Sequence, residues 1–119
     1  MYTFQNNITP IKSVEDYDMK IQQKDLPTII LFKTVWSGDS FLMSSIFGEI
    51  QSELSEKIQL FSIDIEKLPA LKDRFYISKV PTVLFIKEGI IVSKILSILP
   101  SNIIKIQVNS FVDSTAKGA

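Results

Sequence analysis

A mixed α/β fold, with a central sheet covered by helices on both faces, is predicted by three features of the sequence. Short runs rich in β-branched and aromatic residues alternate with segments whose apolar residues recur at helical spacing, in the order β-α-β-α-β-α-β-β-α. The run at residues 28–35 is apolar along most of its length, as a strand buried on both faces must be, and passes at once into the stripe Met43, Ile46, Phe47, Ile50 and Leu54. The last two strand-like runs have only Lys87-Glu88-Gly89 between them, too little for a crossover, so they form an antiparallel hairpin. The earlier strands are joined through helices and run parallel through right-handed crossovers. A length of 119 residues predicts one domain, with a core spanning about residues 8–113 and a small polar tail at 114–119 expected to fray.

In chain order, residues 8–11 read as a short strand that Pro10 confines to a sheet edge. Ser13, Val14, Glu15 and Asp16 resemble a capping box, and Val14, Tyr17 and Ile21 continue at helical spacing, so a first helix starts there and closes before Asp25. After the strand at 28–35, Gly38 is expected to permit a sharp turn, and Asp39 puts negative charge near a helix N-terminus, where the macrodipole favours it. Residues 58–65 form another buried strand, and 68–75 a short helix with Pro69 in its first turn and Leu68, Leu71 and Phe75 as its stripe. Residues 83–86 and 90–96 are the hairpin strands, with Gly89 where positive φ is needed. Pro100-Ser101 opens a last helix with Ile104, Val108, Phe111 and Val112 on one face, although Ile104, Ile106 and Val108 also alternate as in a strand. The expected core is Ile30, Phe32, Ile46, Phe47, Ile50, Phe61, Ile63, Phe75, Val83 and Phe85.

Composition excludes several chemistries. Thirteen basic and thirteen acidic side chains cancel, so no global field recommends nucleic acid or an anionic membrane. The absence of cysteine and histidine rules out disulfides, thiolate sites and thiol catalysis, and removes the usual metal ligand and general base; no cofactor or metal is expected. Asp64 with Glu66, and Glu49 with Glu53, read as solvated charge. The start of the chain has no charged segment followed by an apolar one, and no run is long enough to span a membrane, so a soluble, cytoplasmic chain is expected.

At the strand-to-helix junction stand Trp36-Ser37-Gly38-Asp39-Ser40, and some forty residues on Val80-Pro81-Thr82. These segments resemble the thioredoxin family, whose motif is Trp-Cys-Gly-x-Cys followed at that interval by a cis-proline in a Pro-Thr pair. The resemblance runs without a gap over residues 28–111 and more loosely back to Ile8. It implies the thioredoxin fold, a cis Val80-Pro81 bond lying against the residue 37 loop, and Ser37 and Ser40 at the two catalytic cysteine positions. It also implies that the buried aspartate and nearby lysine of the family's proton relay are replaced by Leu31 and Ser62, while Lys33, Ser45 and Ser97 stand where the family often has an aromatic, a proline and a glycine.

Dithiol exchange needs one thiolate to attack a disulfide and a second thiol to resolve the mixed disulfide. A serine hydroxyl does neither, so no redox activity is expected of this sequence. Ser37 and Ser40 are also the residue type that caps helices, and Trp36 is large enough to be either a core lid or a partner contact. Two functions follow from the resemblance. One is a non-covalent protein- or peptide-binding module using Trp36, Gly38, Asp39, Phe41, Val80, Pro81 and Ile98. The other is a Cys-to-Ser variant of a thioredoxin-type protein disulfide oxidoreductase acting in cell redox homeostasis. Finally, Ile90, Val92 and Leu96 are expected on one face of the last strand and Ile91 and Ile95 on the other; the last helix or a weak homodimer must cover what remains.

Overall fold

The structure is a computed structural model that describes residues 8–21, 26–54 and 56–117. Its elements follow the expected order: β1 (Thr9–Pro10), α1 (Val14–Ile21), β2 (Thr28–Lys33), α2 (Gly38–Leu54), β3 (Gln59–Asp64), α3 (Pro69–Arg74), β4 (Thr82–Lys87), β5 (Ile90–Ile95) and α4 (Ser101–Lys117). The expected end of the first helix before Asp25 lies outside the described residues.

The five strands form one sheet in the order β1-β3-β2-β4-β5. β1 and β2 flank β3 in parallel, β4 runs antiparallel to β2, and β5 antiparallel to β4. Pro10 sits on the edge strand, as its missing N–H requires, and the pairing continues past it through the Ile11 N–H to the Ser62 carbonyl at 2.9 Å. Ser13 caps α1 by accepting the Asp16 N–H at 2.9 Å. The Asp16 carboxylate reaches back to the Lys12 N–H at 2.8 Å, one residue before the partner a capping box uses, and also pairs with Lys20.

Strand alternation on β2 divides the core. Ile29 and Leu31 face one layer, Ile30 and Phe32 the other, and all four are fully buried. The first layer is closed by Met43, Phe47 and Ile50 of α2 with Ile104, Val108, Phe111 and Val112 of α4, the Phe85 and Phe111 rings meeting at 5.2 Å. The second is closed by Tyr17 of α1 and Leu71 of α3. Each such large side chain, fully buried, contributes about 1.5–3 kcal/mol. Of the expected core, Ile46 and Phe75 are only partly buried; Phe75 still packs its ring 5.4 Å from Phe32 and 5.6 Å from Tyr17.

α3 ends in a Schellman motif. The Tyr76 N–H donates to the Asp73 carbonyl at 3.1 Å and the Ile77 N–H to the Lys72 carbonyl at 3.0 Å, while Ile77 and Leu71 share the core cluster. Tyr76 occupies the left-handed position this motif normally gives to glycine, with φ 55° and a side chain 91% exposed. In the hairpin, Glu88 and Gly89 both take positive φ, the two central residues of a type I′ turn.

Two expectations are corrected. The β4/β5 register shifts between Phe85 and Ile86, which pair with Ser93 and Ile91, leaving Val92 as an extra residue. This bulge flips the alternation: Ile95 packs under α2 and α4 while Ile91, opposite Ile86, lies on the other face, and Ile90, opposite Lys87, lies on the Ile95 face and not on the one expected for it. Second, α4 continues to Lys117, so residues 114–117 are helical where a tail is expected, and the remainder of that expectation, 118–119, lies outside the described residues. Neither glycine nor proline interrupts residues 101–117, and the burial of Ile104, Val108, Phe111 and Val112 at helical spacing outweighs the competing strand alternation. No helix among the described residues is long and apolar enough to cross a membrane.

Candidate functional site

Sheet register gathers four loops at one end. β2 and β3 end together, Lys33 opposite Asp64; β4 begins with Thr82 opposite Phe32; and β5 ends with Ile95 opposite Val83. The segments carrying Trp36, Glu66, Val80-Pro81 and Ile98 therefore all leave or enter the sheet at this end.

At the entry to α2, Ser37 is the cap: its Oγ accepts the Ser40 N–H at 3.0 Å and its carbonyl accepts the Phe41 N–H at 3.2 Å. Ser40 is buried, and its Oγ accepts the Thr34 N–H at 3.4 Å, tying the start of the loop after β2 to the helix. Both hydroxyls thus serve the backbone. Asp39 lies exposed in the first helical turn. Gly38 corrects an expectation: its φ is not positive and a Cβ there would meet nothing within 4 Å, so the turn before α2 makes no use of its glycine freedom.

Trp36 is 80% exposed and is no core lid. Its indole N–H donates to Glu66 Oε2 at 3.2 Å. Glu66 is itself held by the turn after β3, where Asp64 Oδ1 accepts the backbone N–H of Glu66 at 2.9 Å and of Lys67 at 3.4 Å. Among the described residues no group of three or more His, Asp or Glu could hold a metal ion. Val35, Phe41 and Leu42 are also exposed, so four large apolar side chains stand outward within eight residues.

Across the sheet end, the Val80-Pro81 peptide is cis. Pro81 is buried, Val80 is half-buried against the cluster that contains Phe32, and Thr82 Oγ1 pins the loop by donating to the Lys79 carbonyl at 2.7 Å. Ile98 is half-buried against the other cluster and offers less surface than Trp36 or Phe41. Leu31 and Ser62 are ladder partners, both buried, so no ionisable side chain occupies either position beneath the motif.

The sequence profile of the thioredoxin family, described as "Thioredoxin", matches residues 9–109. The chain belongs to the thioredoxin family. Similar proteins include Thioredoxin Y2, chloroplastic, of Arabidopsis thaliana, 30% identical over 91 residues that make up 76% of this chain and 54% of that protein. Another is the thioredoxin of Rickettsia typhi, 27% identical over 71% of this chain and 76% of its own length. The chain thus spans little more than half the length of the Arabidopsis relative. Among solved structures, a thioredoxin of Malassezia sympodialis superposes with a TM-score of 0.79 over 94% of this chain and 96% of its own, at 17% identity. The sheet order, the two helical layers and this superposition are those of the thioredoxin fold. This member has no cysteine, so the family's dithiol chemistry is absent from it.

Sequence reasoning passed over Glu66 as an anchor for Trp36, weighing it only with Asp64, because the two partners lie thirty residues apart. It also passed over Val35 and Leu42. Leu42 had a signal: like Phe41, it falls off the buried stripe that begins at Met43.

Proposed function

We propose that this domain is a non-covalent binding module for an extended protein or peptide segment, docked at the Trp36 end of the sheet. The observation that carries the reading is the outward apolar group of Val35, Trp36, Phe41 and Leu42 around a motif that has no thiol, with Trp36 fastened at its indole by Glu66. A large aromatic side chain presented rigidly to solvent is the kind of anchor that dominates interfaces. The backbone of Val80, ahead of β4, offers an extended segment main-chain hydrogen bonds while its apolar side chains meet the indole. Ser37 and Ser40 maintain the loop that holds the anchor in place.

Trp36 is the single tryptophan of the chain, so its emission reports on this site alone. Titration with extended apolar peptides should shift that emission, and Trp36→Ala should weaken binding about 30-fold by calorimetry, the usual scale for truncating a tryptophan hot spot. Unchanged emission together with equal affinity of the variant would remove the reading. A second reading, a Cys-to-Ser variant of a disulfide oxidoreductase, is favoured by the pair of serines, close isosteres of cysteine, at both motif positions. Leu31 and Ser62 weigh against it, because they leave no carboxylate or lysine to move a proton at the motif.

A further inference from the structure

We propose that the segment docked at the Trp36 end carries an arginine, or less favourably a lysine, whose cationic head stacks on the indole and pairs with Glu66. This rests on the docking role proposed above and names the chemistry of its partner. The indole N–H donates to Glu66 Oε2 at 3.2 Å, and Oε1 takes no hydrogen bond among the described residues. An indole N–H points outward in the plane of its ring, so the carboxylate stands at the ring's edge and leaves the faces of the exposed Trp36 open. The turn after β3 fixes the backbone that carries Glu66, since Asp64 Oδ1 accepts its N–H at 2.9 Å. An open aromatic face and a held carboxylate therefore lie side by side, one oxygen of that carboxylate still free to accept.

Charge decides what fits there. The acids on the segments at this end are Asp39, Asp64 and Glu66 and the bases Lys33, Lys67 and Lys79; among the described residues the ion pairs join Asp16 to Lys20 and Asp18 to Arg74, and none involves these six. Asp64 spends an oxygen on the turn's backbone and stands beside Lys33 in the sheet register, whereas Glu66 is exposed and bonded to the anchor. An apolar occupant that covers the indole also strips water from the carboxylate at its edge. A carboxylate desolvated without a cation is costly, so the segment that suits this anchor brings the cation with it. A guanidinium fits best, being planar and weakly hydrated: it stacks on an aromatic face while its N–H fork reaches a carboxylate at the rim. The same group repels an acidic segment.

The test compares extended apolar peptides without tryptophan, each with arginine at one position, with a matching set carrying citrulline, which keeps the shape and loses the charge. At the best position arginine should bind about tenfold tighter by calorimetry, the combined scale of an exposed cation–π contact and an exposed ion pair. Glutamate at that position should bind more weakly than citrulline. Glu66→Gln, which keeps an oxygen for the indole N–H, should cut the preference for arginine to about threefold, the part that stacking supplies, with thermal unfolding unchanged to show that the fold is intact. Peptides that bind with no preference for arginine at any position overturn this inference and leave the docking role standing. Peptides of every set that neither bind nor move the Trp36 emission remove the docking role, and this inference with it. A preference that survives Glu66→Gln in full overturns the pairing with Glu66.

Discussion

Replacing Ser37 by alanine removes one acceptor and leaves the rest of the α2 entry in place. The Ser40 N–H loses its 3.0 Å bond to Ser37 Oγ, while the Phe41 N–H keeps the Ser37 carbonyl, since that contact is main-chain. The loss of an N-cap side chain costs about 1 kcal/mol, which for a domain of this size lowers the melting temperature by about 4 °C. Ser37→Asp should retain the stability, because a carboxylate accepts the same bond and its charge suits the helix N-terminus. Ser37→Gly should cost only a few tenths of a kcal/mol, about what open backbone and water supply at that position. Urea unfolding of the three variants, with unchanged m-values, measures the series directly. An alanine variant as stable as the parent, or an aspartate variant no better than alanine, would refute the capping role. The same reasoning bears on chemistry: a cysteine at position 37 offers only a weak sulfur acceptor, so serine suits the structural role better than the family's thiol does.

Tyr76→Gly should raise stability by about 1 kcal/mol, because it removes a side chain from a left-handed position and costs no buried contact; a decrease in the melting temperature would contradict this. Asp16 should titrate below the usual aspartate range, held there first by the Lys20 hydrogen bond and then by the Lys12 N–H. A depressed carboxylate contributes stability above its unfolded pKa and loses it as pH falls through the folded one. Lys20→Ala should therefore move the Asp16 midpoint upward in an NMR titration, and an unmoved midpoint would reject the assignment.

The element order was legible because each element carries its own period: Met43, Phe47 and Ile50 recur at helical spacing, while β2, apolar on both faces, had to be central. The Ser37 cap was legible from residue type and position. Features set by register or by distant partners were not. A bulge adds one residue and leaves no mark in a run such as Ile90-Ile91-Val92, where every position is apolar, so the facings of Ile90 and Ile91 relative to Ile95 came out reversed. Tyr76 gave no sign of a left-handed conformation, which sequence reading assigns to glycine or asparagine. The hold of Glu66 on Trp36 depends on β2 and β3 ending side by side, a fact of pairing that local pattern does not carry.

The most direct test of a domain that binds without thiol chemistry is insulin reduction by the chain and by its Ser37→Cys/Ser40→Cys variant. The chain itself should be inactive, having no sulfur nucleophile. The variant should rise little above the uncatalysed rate, because buried Leu31 and Ser62 provide neither a carboxylate nor a lysine beneath the restored thiols. Strong reductase activity in the variant would contradict the account and identify the serines as the whole difference from an active oxidoreductase.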